Sequence, residues 1–299
     1  MVSLDQLRGF VEVARRGSFT AAARDLSITQ PSLTRRLASL EKSLGTPLFV
    51  RTRTGVVPTE AGERFMDHAL RALASIDAGR EALAELEGEL RGTVSVGAVP
   101  TVGAYLLPDV LARFCGMHPN VRLRLREDLH TELEDSVAKG EIDLALLNMP
   151  LRRAELVVRR LWTEDYVLAV HETHRFASSR TAISLRDIAR EPLLIVPVSP
   201  ASHALAVASE RNGVALHVVV EADNHEALRR MVARGIGVAI FPRIMAAGGP
   251  SQLRYLEIGD ATLRRRVALV THGTAYLGAA ARALRDAIVA HVGKQASRL

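Results

Sequence analysis

Apolar residues Leu4, Leu7, Phe10, Val11 and Ala14 recur at helical spacing and predict a first helix over Leu4–Arg15. Gly17 breaks the pattern, and Ser18 or Thr20 can cap a short second helix with Phe19, Ala22, Ala23 and Leu26 on its apolar face. The small alanines there let a neighbouring helix approach closely. Thr29 as N-cap starts a third helix running to about Leu44, with Pro31 in the first turn, where the missing N–H leaves nothing unpaired. Its positions Leu33, Leu37, Leu40 and Leu44 share one side, which turns Gln30, Ser32, Thr34, Arg35 and Arg36 outward. Gly45, Thr46 and Pro47 end the helix. Leu48-Phe49-Val50, the basic turn Arg51-Thr52-Arg53-Thr54-Gly55 and Val56-Val57-Pro58 then predict a two-stranded wing. Thr59 caps a long helix from Glu60 to about Leu90, where Ala69, Leu73, Ile76, Leu83 and Leu90 keep alternating steps of three and four, with Arg80 and Glu87 in the remaining seam positions. About thirty residues at ~1.5 Å each make a rod of roughly 45 Å, suited to pairing with a second copy. An exposed spacer helix is the alternative, because the seam is interrupted and rich in alanine.

From Arg91-Gly92 the period changes from helical to alternating. Val94, Val96 and Ala98 form one strand, and Val121, Leu123 and Leu125, alternating with Arg122, Arg124 and Arg126, form another. A helix is expected between them over Leu106–Phe114, then a helix over Thr131–Lys139 closed by Gly140, and a buried strand over Ile142–Leu147. The same order returns in Leu193–Val198, a helix from Ala201, Leu216–Val220, a helix from about His225 to Arg234, and Gly237–Phe241. Strands alternating with helices imply parallel βαβ units, hence two similar α/β lobes. The expected organisation is a multidomain α/β protein: a winged helix-turn-helix over 1–58, a linker helix over 59–90, and a two-lobed module over 91–299. Its lobes take 91–162 plus 265–299, and 163–264, because Arg265–Val270 and the last helix complete the first lobe.

Composition narrows the reading. No apolar run approaches the ~20 residues that span a bilayer, and the N-terminus lacks the basic and continuous apolar regions of a secretory signal, so a cytoplasmic location without membrane partners is expected. Cys115 is the single cysteine, which excludes an intrachain disulfide and a multi-thiolate zinc site, and packing is its expected role. The net charge of +6 is concentrated at the start: positions 1–60 hold nine Arg and Lys against five Asp and Glu. A basic segment on a nearly neutral remainder suggests a polyanionic partner.

A helix that fits the major groove and presents Gln and Arg to base edges matches that partner as double-stranded DNA. Gln30, Thr34 and Arg35 are candidates for base contact, Pro31 for thymine methyls, and Ser32 and Arg36 for the same surface. Arg51 and Arg53 on the wing can reach phosphates or a narrow minor groove. The run Ser18-Phe19-Thr20-Ala21-Ala22-Ala23, Leu26, Thr29-Gln30-Pro31-Ser32-Leu33-Thr34-Arg35, Leu40-Glu41, Leu44-Gly45, Leu48-Phe49, Arg51, Arg53 and Pro58-Thr59-Glu60-Ala61-Gly62 resembles the N-terminal signature of the LysR-type transcriptional regulators. A weaker likeness continues through Gly140-Glu141-Ile142-Asp143-Leu144-Ala145 and Gly235-Ile236-Gly237-Val238-Ala239 to Phe241-Pro242. The resemblance implies a DNA-binding domain, a dimerising linker, an effector domain resembling type 2 periplasmic binding proteins, assembly as a tetramer and contact with RNA polymerase.

In an open α/β sheet, ligands collect beyond the carboxyl ends of strands, where helix starts offer unpaired N–H groups. Four such junctions occur: Pro100-Thr101, Asp128-Leu129-His130-Thr131, Pro200-Ala201-Ser202-His203 and Asp223-Asn224-His225. By resemblance they line an effector cleft, with Thr101, Leu129, His130, Ser202, His203, Asn224 and Phe241 as candidate contacts. A small organic anion is the expected effector. Thr101, Ser202 and Asn224 could equally serve only as helix caps. His130, His203 and His225 invite readings as anion, proton or metal sites, but helix-start histidines more often cap or stay solvated. His171-Glu172-Thr173-His174 lacks the four-residue spacing of zinc hydrolases, and no glycine-rich phosphate loop occurs, so neither catalysis nor a cofactor is expected. Two other classes stay in view: a solute-binding receptor whose N-terminal segment serves assembly, and an enzyme on the two-lobed module.

Overall fold

The computed structural model describes residues 2–52, 55–85, 90–260, 262–273 and 277–295. Arg53 and Glu87 lie outside them, as does the side chain of Arg80.

Helix α1 (Leu4–Arg16) opens on a capping box in which Ser3 Oγ accepts from the Gln6 N–H (3.3 Å) and Gln6 Oε1 accepts from the Ser3 N–H (2.8 Å). Gly17, at φ 61°, closes it in the left-handed conformation that glycine adopts without strain. Ser18, not Thr20, caps α2 (Phe19–Asp25) through the Ala21 N–H. α3 (Gln30–Leu44) follows Thr29, whose hydroxyl makes no capping bond, so its start rests on the proline in its first turn and not on the expected side-chain cap. Leu7, Phe10, Val13, Ala22, Leu33, Leu37, Leu40 and Leu48 fill the core between these helices. β1 (Phe49–Thr52) and β2 (Gly55–Pro58) form the antiparallel wing, tied to the helices by the Val56 N–H to Gly17 O bond (2.9 Å).

α4 (Glu60–Glu85) leaves this module as a rod of about 39 Å at ~1.5 Å per residue. Thr59 Oγ1 accepts from the Gly62 N–H (3.1 Å) and donates to Pro47 O (2.8 Å). Gly62 sits against the backbone at Leu48, where a Cβ would collide with Leu48 O. The expected seam divides. Ala69 is buried in the N-terminal core and Leu73 packs against it, because the first turns of α4 cover the helical module. Leu90 packs against the two-lobed module. Ile76 (39% exposed) and Leu83 (67%) are left facing outward.

The two-lobed module runs through β3 (Gly92–Ala98), α5 (Pro100–Tyr105), α6 (Leu107–Met117), β4 (Val121–Glu127), α7 (His130–Ala138), β5 (Leu144–Asn148) and β6 (Leu156–His171). It continues with α8 (Leu185–Ile188), β7 (Leu193–Ile195), α9 (Pro200–Arg211), β8 (Val218–Glu221), α10 (His225–Val232), β9 (Val238–Pro242), a 3-10 turn over Arg243–Ala246, β10 (Leu253–Glu257), β11 (Arg264–His272) and α11 (Ala279–Gln295). The helix expected over Leu106–Phe114 is α6, and a second, shorter helix, α5, precedes it: Pro108 has no N–H to continue α5, so the chain breaks at Leu106 and restarts. Neighbouring strands run β4-β3-β5-β11-β6-β9-β7-β8, with β10 on β6. β3 is parallel to β4 and β5, and β7 to β8 and β9, as βαβ units require. The long β6 passes between the lobes, pairing with β11 over Leu156–Asp165 and with β9 and β10 beyond. Cys115, expected to pack, is exposed, because α6 turns Leu107, Val110 and Phe114 inward and Cys115 falls outside that face.

Candidate DNA interface and effector cleft

On α3, Gln30, Pro31 and Arg35 are exposed, and Ser32, Thr34 and Arg36 are half-buried. Gln30 Nε2 donates to Thr34 Oγ1 (3.2 Å), one helical turn on, which fixes the amide on the outer face. Arg36 turns back to α1 and pairs with Asp5 (3.3 Å), a surface pair of about 0–1 kcal/mol that a phosphate can displace. The wing is held by Glu41, legible in the sequence only as part of the family signature: its Oε1 accepts from the Leu48 (2.7 Å) and Phe49 (3.3 Å) N–H groups. The Phe49 ring also packs against Phe10 (5.2 Å) and Phe19 (6.0 Å), so the strand that carries exposed Arg51 has a fixed position relative to α3.

Between the lobes lies a cleft of about 650 Å³, partly open to solvent. All four expected junctions reach it: Pro100 and Thr101 from α5, Asp128, Leu129 and His130 at the start of α7, Pro200 and Ala201 from α9, and Asp223 and His225 around the start of α10. Asn148, Tyr166 and Arg265, from β5, β6 and β11, complete the floor and were not anticipated. Thr101, Leu129 and His130 thus come together, and four other candidates lie elsewhere. Ser202 is engaged with Ser199, which caps α9 in its place, and lines a small adjoining hollow. His203 is exposed outside the cleft. Asn224 caps α10 by accepting from the Glu226 (2.7 Å) and Ala227 (3.1 Å) N–H groups. Phe241 is fully buried, 6.4 Å from the His225 ring, and lines the same adjoining hollow as Ser202.

Thr101 does not cap its helix. Its hydroxyl accepts from Arg265 Nη1 (2.7 Å), and Arg265 donates through Nε (2.9 Å) and Nη2 (2.7 Å) to Glu164 Oε1. The same carboxylate takes Trp162 Nε1 (3.1 Å) and, on Oε2, the Ile244 N–H (2.7 Å). Glu164 and Arg265 are buried, so this network ties α5 of the first lobe, the hinge strands and the turn after β9 in the second lobe. A second tie lies outside the cleft, where Tyr105 donates to Glu226 Oε2 (2.9 Å) and Arg229 sits 5.5 Å over the Tyr105 ring. Burial, then the bond to Glu226, pushes the Tyr105 hydroxyl up to about 12. Burial and the nearby Arg265 charge hold His225 down at about 4, and burial likewise lowers His130, so both imidazoles are neutral near pH 7.

Among the described residues that line the cleft, no hydroxyl is hydrogen-bonded to a histidine or a carboxylate, and among the described residues no group of His, Cys, Asp and Glu could hold a metal ion. His174 of the paired-histidine stretch is engaged with Glu191 (3.2 Å). No helix among the described residues is long and apolar enough to cross a membrane.

A winged helix-turn-helix, a linker helix and a two-lobed module with a cleft define the class of DNA-binding regulator that carries an effector domain. Residues 4–63 match the family model for the bacterial regulatory helix-turn-helix protein, lysR family, and residues 87–293 match the LysR substrate binding domain. The chain belongs to the LysR family: it is a DNA-binding transcriptional regulator with an effector domain, and not an enzyme. The HTH-type transcriptional regulator IlvR of Caulobacter vibrioides is 31% identical over 87% of this chain and 88% of its own length. A full-length OxyR variant from Pseudomonas aeruginosa shares the fold with a TM-score of 0.78 at 22% identity, over 98% of this chain and 95% of that one. Full-length CbnR complexed with its target DNA does so with a TM-score of 0.63 at 22% identity, over 98% and 99%.

Proposed function

We propose that this regulator holds double-stranded DNA through α3 and the wing, pairs with a second copy through α4, and changes its grip on DNA when a small organic molecule occupies the interlobe cleft. The winged module spans 1–58, the linker 59–90 and the effector module 91–299, with the lobes changing over within β6 and at β11. Gln30, Pro31, Ser32, Thr34, Arg35 and Arg36 face the major groove, and Arg51 and Arg53 meet the backbone or minor groove. The observation that carries this reading is the exposure of Gln30, Pro31 and Arg35 on one helix beside a wing fixed by Glu41. The DNA-bound relative CbnR supports it. Pairing through Ile76 and Leu83, assembly of two dimers into a tetramer, contact with RNA polymerase and a cytoplasmic location complete the proposal.

Retention of the full chain on DNA over a salt series tests it. Binding should weaken steeply as salt rises, with the slope set by the phosphates contacted. No retention even at low salt would leave the two-lobed module as a receptor of another kind.

A further inference from the structure

The four helix starts raise the expectation of an anionic effector, yet several of their donors are already engaged. Pro100 and Pro200 stand in the first turns of α5 and α9 and bring no N–H. At α9 the Ser202 N–H goes to Ser199, at α10 the Glu226 and Ala227 N–H groups go to Asn224, and at α7 the Leu129 N–H goes to Asp128 Oδ1 (2.9 Å). The buried cation, Arg265, is 6% exposed and is bound to Glu164, which is 2% exposed, so its charge is matched before any ligand arrives. Asp128 and Asp223 also line the cleft, and Arg265 is the sole Lys or Arg among its described lining residues. A carboxylate entering here would lose its hydration, meet Asp223 at the rim, and find the Arg265 charge already matched by Glu164 and that of Arg126 by Asp128 (2.8 Å).

What remains available is of another kind. Asn148 is 6% exposed, lines the cleft, and its Oδ1 has no hydrogen-bond partner. An unpaired acceptor at that depth costs free energy that a ligand donor would recover. The Thr101 oxygen already accepts from Arg265, leaving the hydroxyl proton for an acceptor on the ligand. Around these two groups the walls are apolar: Val99, Leu129, Val196, Val198, Ala201 and the Tyr166 ring.

Resting on the reading of the cleft as the effector site, we infer that its ligand is a compact uncharged molecule with an apolar body, an N–H or O–H donor directed to Asn148 Oδ1, and an acceptor for Thr101. The neutral His225 and His130 imidazoles fit the same class, since neither supplies a positive charge near pH 7.

Titration calorimetry of the full chain with benzamide and benzoate, alike in shape and different in charge, separates the possibilities. Benzamide should bind at least about tenfold more tightly than benzoate, and Asn148→Leu should weaken it by about tenfold. Thr101→Val is the second variant, with the same direction expected, should Asn148→Leu fail to fold. Glu164→Gln, which frees the Arg265 charge, should move the preference toward benzoate. Benzoate binding as tightly as benzamide, yet sensitive to Thr101→Val, overturns the ligand class and leaves the cleft as the site. Binding indifferent to both Asn148→Leu and Thr101→Val, or no binding of either compound, overturns the inference together with the cleft reading.

Discussion

The DNA-facing module and the effector cleft present their functional groups in opposite ways. On α3 the working residues lie within a few positions of one another, and a single amphipathic helix places them: burial of Leu33, Leu37 and Leu40 turns Gln30, Pro31 and Arg35 outward. In the cleft, Thr101 meets Arg265 across 164 residues of chain, and Glu164 meets Arg265 across 101. One surface follows from local periodicity. The other exists only once two lobes have folded and a hinge has brought them together. A substitution in the first should therefore act locally, and one in the second should be felt by the whole two-lobed module.

The largest effect should come from Glu164→Ala. It leaves the Arg265 guanidinium buried without its counter-charge, at a cost of about 3–5 kcal/mol. Trp162, the sole tryptophan, donates to Glu164 and reports unfolding of this module through its fluorescence in a urea titration. Replacing the pair together, as Glu164→Met with Arg265→Met, should recover much of the loss. A cost below about 1 kcal/mol for Glu164→Ala would mean that the network does not hold the lobes.

Next comes self-association. Ile76→Asp with Leu83→Asp should shift sedimentation toward the monomer, because both side chains face outward from α4 and neither serves the N-terminal core. Leu73→Asp is a poorer probe, since Leu73 packs on that core and its loss mixes folding with assembly. Unchanged sedimentation of the double variant would remove α4 as the pairing element.

Acid should weaken the two-lobed module through His225. Its folded pKa of about 4 lies below the ordinary 6.5, so between these values the unfolded chain binds a proton that the folded chain refuses. The stability it leaves intact above 6.5 is lost as pH falls toward about 4, with about 1 kcal/mol gone between about pH 7 and about pH 5.5. His225→Gln should flatten that part of the profile, and an unchanged profile would contradict the assignment. The smallest effect should be on the other module, where Arg36→Ala removes an exposed pair with Asp5 and should cost under about 1 kcal/mol in a thermal melt.

This contrast explains which parts of the molecule were legible in the sequence. α1 to α3 and the wing follow from spacing, caps and turn residues; the structure selects Ser18 over Thr20 as the cap of α2 and leaves α3 without a side-chain cap. The alternation of strands and helices gave the two lobes. It also gave the four junctions, since strand-to-helix turns are local features. Which side chain at each junction enters the cleft depends on helix rotation and on neighbours from distant strands. Ser202 and Asn224 therefore went to local hydrogen bonds, and Asn148, Tyr166 and Arg265 took the floor. Glu164 and Arg265 carried no local signal, being single charges on β6 and β11 whose partnership is purely one of register. The seam on α4 was misjudged at its ends for the same reason: Ala69 and Leu90 are claimed by the two modules that the helix joins.

The central claim, that α3 reads base sequence while the wing supplies general grip, is tested most directly by selecting bound DNA from a random pool at one fixed salt concentration with the parent chain, Arg35→Ala and Arg51→Ala. Arg35→Ala should relax the preference at one base position and lower specific affinity by about 1–3 kcal/mol, with affinity for random DNA nearly unchanged. Arg51→Ala should weaken specific and random DNA alike. Equal losses on specific and random DNA for Arg35→Ala would contradict the account, since the exposed guanidinium on α3 would then be one more phosphate contact.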